Sequence, residues 1–123
     1  MTCKVLIVED EPLIAESLCE LLGERDYDVV GTAKDTEQAF ALAERGRPDV
    51  AVVDVRLADS IDGISLAMEL ASRYGTVVLF MTGNPQTVYD RAWEFRYSVL
   101  AKPFTDEEFL GAISEACRSA VGA

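Results

Sequence analysis

The sequence predicts an α/β fold, a parallel sheet covered by helices on both faces. Three observations predict it. Strand-like and helix-like segments alternate in five βα units along the 123 residues. The third strand-like run, PDVAVVDV, is apolar on both faces, as a central parallel strand should be. No linker, repeat or low-complexity stretch breaks the series, so residues 1–123 read as a single domain.

The elements follow in order. Lys4 to Val8 is a first strand built for burial. Pro12 suits an early helical position, where its missing N–H costs nothing. Leu13, Ile14, Leu18, Leu21 and Leu22 then recur at helical spacing, and Gly23 lies near the stop. DVVGTA is a short second strand. Asp35 to Gln38 has the form of a capping box and opens a helix carrying Ala39, Phe40 and Leu42. After the third strand, the loop RLADSID leads to a helix with Ile64, Leu66, Ala67, Leu70 and Ala71. TVVLFM is a fourth strand, followed by a short helix around Gln86 to Trp93. SVLA is a fifth strand, closed by Lys102 and Pro103. Thr105 to Glu108 is a second capping box, opening a helix with Phe109, Leu110, Ile113 and Cys117.

Composition narrows the function. Half the residues are apolar, and the formal net charge is −11 from 22 acids and 11 bases. Such a surface repels nucleic-acid phosphates and anionic lipid, so direct nucleic-acid or membrane binding is not expected. It suits metal cations or a basic patch on a protein partner. The chain has no histidine, which removes ordinary zinc sites and Cys-His or Ser-His catalysis. Cys3, Cys19 and Cys117 are odd in number and widely spaced, and read as buried, reduced thiols of a cytoplasmic protein. No apolar run approaches membrane-spanning length, and the start lacks a signal-peptide pattern.

In open α/β sheets, sites form at the carboxyl ends of the strands. Glu9 and Asp10 end the first strand, Asp54 the third, Thr82 the fourth and Lys102 the fifth. Each alone has an ordinary role as a solvated acid, a turn residue or a surface lysine. Together they place three carboxylates, a hydroxyl and an ammonium on one sheet edge. Three carboxylates suit a hard divalent cation, and Mg2+ takes one or two carboxylates plus water and a phosphate. A carboxylate beside that cation and a lysine can attack phosphorus and form an acyl phosphate. Gly83, beside Thr82, leaves room for the incoming group.

These residues sit in the motifs VLIVEDE, DVAVVDVRL, DGISL, LFMTGN and AKPF. In order and spacing, across essentially the whole chain, they resemble the receiver domain of two-component response regulators. The resemblance implies a flavodoxin-like receiver fold, a five-stranded parallel sheet in the order 2-1-3-4-5. It implies that Asp54 accepts a phosphoryl group from a histidine kinase or phosphotransfer protein. Asp10 would bind Mg2+ directly, Glu9 through water, and Arg56 through its backbone carbonyl. Thr82 would be the switch hydroxyl and Lys102 the phosphate-binding cation, with a Lys102–Pro103 bond that is often cis in this family. Such a protein signals rather than turns over a substrate, catalysing only its own phosphorylation and dephosphorylation. Its expected output face is the fourth helix, fifth strand and fifth helix, with Trp93, Tyr97 and Phe104 in or near it.

The chain departs from the pattern at one position. Receivers carry Tyr or Phe three residues before the lysine as a switch aromatic, and here that residue is Val99. Tyr97 faces the same side of the strand farther from the site, so Tyr97 or Phe80 stands as a candidate substitute. LFMTGNP and the missing aromatic resemble a receiver subgroup with a Phe-x-Thr-Gly motif, often found as stand-alone receivers. Two rival readings remain. One is a receiver-like binding module that works without phosphorylation. The other is a phosphatase of the haloacid dehalogenase type, which would need an aspartate at the position of Arg56.

Overall fold

The computed structural model describes residues 2–57, 62–91 and 95–121. Five parallel strands form one sheet in the order β2-β1-β3-β4-β5. They are β1 (Lys4–Val8), β2 (Asp28–Ala33), β3 (Val50–Asp54), β4 (Val77–Thr82) and β5 (Tyr97–Ala101). The helices α1 (Pro12–Gly23), α2 (Thr36–Gly46), α3 (Gly63–Tyr74), α4 (Pro85–Arg91) and α5 (Asp106–Val121) follow them in turn. The expected flavodoxin-like receiver topology is therefore the one observed. Trp93, placed at the end of the fourth helix from the sequence, lies outside the described residues.

The sheet divides two apolar layers. Alternate residues of the central strands face opposite sides, because side chains alternate along a strand. Leu6, Val8, Ala51, Val53, Val78 and Phe80 pack with Ala39, Ala43, Ile64, Leu70 and Val88, on the side of α2, α3 and α4. Val5, Ile7, Val50, Val52, Leu79 and Met81 pack with Leu18, Leu22, Phe109 and Ile113, on the side of α1 and α5. Each fully buried Phe, Leu or Ile contributes roughly 1.5–3 kcal/mol from water exclusion. The three inner strands are buried at almost every position, which makes the strand ends rigid mounting points.

Both capping boxes form, with different closures. Thr105 Oγ1 accepts from the Glu108 N–H at 3.1 Å, and Glu108 Oε1 accepts from the Thr105 N–H at 2.9 Å. Asp35 Oδ1 accepts from the Gln38 N–H at 2.9 Å, but Gln38 Oε1 reaches one residue further back, to the Lys34 N–H at 3.0 Å. The α1 stripe is narrower than its sequence pattern suggests. Ala15, Leu18 and Leu22 are buried, whereas Leu13 is 80% exposed. No helix among the described residues is long and apolar enough to cross a membrane.

The expectation of three reduced thiols is corrected. Cys3 and Cys117 are joined by a disulfide, with Cα atoms 6.0 Å apart, and Cys19 is free. The pair is separated by 114 residues, so spacing along the chain carries no sign of it. It arises because α5 returns across the sheet to the start of β1, where both cysteines join one apolar cluster.

Candidate functional site

Glu9, Asp54, Thr82 and Lys102 are held at the strand ends by the sheet ladder. The Glu9 N–H donates to the Ala33 carbonyl at 2.9 Å, which ties the end of β1 to β2. The Val55 N–H donates to the Met81 carbonyl at 3.1 Å, and the Lys102 N–H to the Thr82 carbonyl at 2.8 Å. Asp54, Thr82 and Lys102 are thus carried on three adjacent strands whose register is continuous from Val50 to Ala101. The Lys102–Pro103 peptide is cis.

The side chains converge. One carboxylate oxygen from each of Glu9, Asp10 and Asp54 lies within 4.8 Å of the others. Glu9 and Asp54 are buried, at 3% and 5% exposure. Asp54 Oδ2 meets Lys102 Nζ at 3.2 Å, and Asp54 Oδ1 accepts from the Arg56 N–H at 3.0 Å. Thr82 Oγ1 accepts from the Asn84 N–H at 2.9 Å. Glu9 and Asp10 line one cleft, and a neighbouring one of about 520 Å³ opens over Asp54, Thr82 and Lys102, lined also by Arg56, Gly83 and Thr87. Arg56 lines its mouth with an exposed side chain.

The electrostatics are those of a cation site. Glu9 is pushed from 4.5 up to about 7, first by burial and then by the adjoining Asp54 carboxylate. The Glu11 N–H, which donates to Glu9 Oε1 at 3.1 Å, opposes that rise. Glu9 Oε2 is buried with no hydrogen-bond partner among the described residues. A buried carboxylate oxygen left unpaired is costly unless a cation or proton meets it. An oxygen-only donor set with this orphan fits a hard divalent ion of the Mg2+ class.

Val99 lies in β5 opposite Phe80, half-buried against the α3 and α4 side of the core. Phe80 is fully buried. Tyr97 pairs in register with Val78, whereas Thr82 pairs with Ala101. At about 3.3 Å per residue, Tyr97 sits roughly 13 Å along the strand from the level of Thr82. Its ring packs edge-on against Phe80 at 5.7 Å and beside Phe95 at 5.1 Å. Tyr97 is not brought to the level of Thr82.

Two residues of the DGISL motif, given no site role in the sequence, lie beside Asp54 and Arg56. Asp62 caps α3 through the Ile64 N–H at 3.0 Å, bridges Arg56 by backbone pairing, and is ion-paired with Arg91 of α4. Its N-cap role was readable from an acid just before GISL, but its partner 29 residues away was not. Gly63 is the other. A Cβ there would meet the Asp54 carbonyl oxygen at 2.4 Å, so α3 can start this close to Asp54 only because the residue is glycine. Gly63→Ala is expected to displace the Asp54–Arg56 backbone and lower stability by about 1–3 kcal/mol, as overpacking does. Chemical denaturation of both proteins checks it, and an unchanged midpoint would remove the argument.

Comparison with known proteins agrees with this architecture. The family model described as response regulator receiver domain matches residues 5–114. The transcriptional regulatory protein PdtaR of Mycobacterium tuberculosis is 38% identical over 112 residues, covering 89% of this chain and 54% of PdtaR. The phyllosphere-induced regulator PhyR of Methylorubrum extorquens is 32% identical over 117 residues, covering 94% of this chain and 44% of PhyR. The chain therefore spans about half the length of these curated relatives. Among solved structures, the PhyR response regulator REC domain of Erythrobacter litoralis superposes with a TM-score of 0.80 at 31% identity, covering 94% of this chain and 89% of that one.

Proposed function

The chain belongs to the response regulator receiver domain family, and from that premise we propose that it accepts a phosphoryl group on Asp54 from a histidine kinase or phosphotransfer protein. The observation that carries the proposal is the buried Asp54 carboxylate, 3.2 Å from Lys102 Nζ and grouped with Glu9 and Asp10 within 4.8 Å. In the transfer, an Asp54 carboxylate oxygen forms the new O–P bond as the P–N bond to the donor imidazole breaks. The donor histidine belongs to the partner, consistent with its absence from this chain.

Glu9, Asp10, Asp54 and the Arg56 backbone carbonyl would hold Mg2+. Bound there, the ion would offset negative charge on the transferring group's oxygens. The chain's own groups do the rest. Lys102 stabilises charge on the same oxygens from the other side of Asp54. The Arg56 N–H orients the Asp54 carboxylate. Thr82, at the cleft wall beside Gly83, offers a hydroxyl to the attached phosphoryl. On this reading the protein is a cytoplasmic phosphoacceptor that catalyses only its own phosphorylation and dephosphorylation. Its signal leaves by phosphorylation-dependent protein binding through α4, β5 and α5, or by onward phosphotransfer. The similarity to the regulators PdtaR and PhyR supports the signalling part of this reading.

A second reading, a binding module that works without phosphorylation, is favoured by one observation, Val99 in place of an aromatic. One experiment separates the two. The protein is incubated with acetyl phosphate, with and without Mg2+, and its intact mass is read for wild type and Asp54→Asn. A gain of one phosphoryl group that requires both the ion and Asp54 is expected. Folded protein that gains nothing from acetyl phosphate or from a phosphorylated histidine donor would favour the binding module.

A further inference from the structure

Cys3 lies immediately before β1, and Cys117 lies in the last turns of α5. They close almost the whole chain into a covalent loop. Both cysteines are buried, at 8% exposure each. Both border an open cavity of about 480 Å³ that Arg25, Asp26, Tyr27 and Arg118 also line. This cavity is at the opposite end of β1 from Glu9, so it is separate from the carboxylate cluster. It is the side from which a reagent thiol would have to reach the bridge.

The pair is also dispensable to packing. Both residues sit within the apolar cluster of α1 and α5, where two reduced thiols would pack as small hydrophobes. The remaining cysteine is a poor competitor. Cys19 lies on α1, half-buried, with its thiol pushed above the ordinary range by burial and then by Glu16. A protonated thiol does not attack a disulfide.

We propose that Cys3 and Cys117 are a reversible redox-modification site, a staple that fastens the end of α5 to the start of β1 when oxidised and releases it when reduced. The co-reactant is a low-molecular-weight thiol/disulfide couple. In reduction, a reagent thiolate attacks one sulfur and forms a mixed disulfide while the other cysteine leaves as thiolate and takes a proton. A second reagent thiolate displaces the remaining cysteine, so two reagent thiols become one reagent disulfide. The end of α5 then keeps only noncovalent ties, chiefly Ala116 and Ile113 in the core and the bond from Arg96 Nη1 to the Ser119 carbonyl at 2.7 Å. The device is independent of Asp54 and stands whether or not Asp54 is phosphorylated.

The test equilibrates the full chain with excess oxidised or excess reduced glutathione, quenches it, alkylates it with iodoacetamide and reads intact mass. One alkylation, at Cys19, is expected in the oxidised sample and three in the reduced one. Amide hydrogen exchange over residues 114–121 should quicken at least tenfold on reduction. Cys117→Ser should show the fast exchange under both conditions. Three alkylations in the oxidised sample, one alkylation in the reduced sample, or exchange that ignores redox state would each overturn the proposal.

Discussion

Lys102→Ala is expected to slow Mg2+-dependent phosphorylation of Asp54 by about 100-fold, the usual size of losing one preorganised electrostatic donor. Lys102 Nζ is 3.2 Å from Asp54 Oδ2 and faces a cluster that otherwise contributes three carboxylates. Removing it takes away the cation that would meet charge on the transferring oxygens. The same change removes a positive charge that repels a metal cation, so Mg2+ should bind the variant more tightly. The two effects have opposite signs, which separates a loss of charge from a loss of folding. Single-turnover mass kinetics with acetyl phosphate would read the first, and calorimetric Mg2+ titration the second. A variant phosphorylated at the wild-type rate would show that Lys102 has no part in the transfer.

The second large effect is a pH-dependent metal response governed by Glu9. Its carboxyl is raised from 4.5 to about 7, mainly by burial. Between these values the metal-free folded protein holds a proton that the unfolded chain has released. Stability from this group is therefore present below about pH 4.5 and is lost as pH rises through about 7. The size is on the order of 3 kcal/mol. A divalent cation needs the ionised carboxylate and supplies the partner that Glu9 Oε2 lacks. Mg2+ should consequently raise Tm more at pH 8 than at pH 6, and bind up to about tenfold more tightly per pH unit below 7. Glu9→Gln should flatten both trends. Equal pH slopes in wild type and Glu9→Gln would place the proton elsewhere.

Much of this protein was legible from residue order. The alternation of apolar runs with helical stripes predicted the α/β layers, because burial on one face or two leaves a periodic mark. The positions of Glu9, Asp10, Asp54, Thr82 and Lys102 at strand ends predicted one cluster, because parallel strands bring all their carboxyl ends to the same edge. The observed convergence within 4.8 Å and 3.2 Å follows from that rule. Thr105 and Glu108 announced their cap in four residues, since capping is local.

What tertiary structure alone decided were the contacts between residues far apart in the chain. Helical periodicity could not tell that Leu13 faces solvent while Leu18 and Leu22 face the core, since all three fit the same apolar pattern. The clearance that requires glycine at Gly63 is set by the Asp54 carbonyl of another element. Arg91 finds Asp62, and Cys117 finds Cys3 across 114 residues, only because the fold places α4 beside the start of α3 and α5 beside the start of β1. The residue types determined the chemistry available at each position. The packing of distant elements determined which groups meet, because that depends on three-dimensional distance and not on separation along the chain.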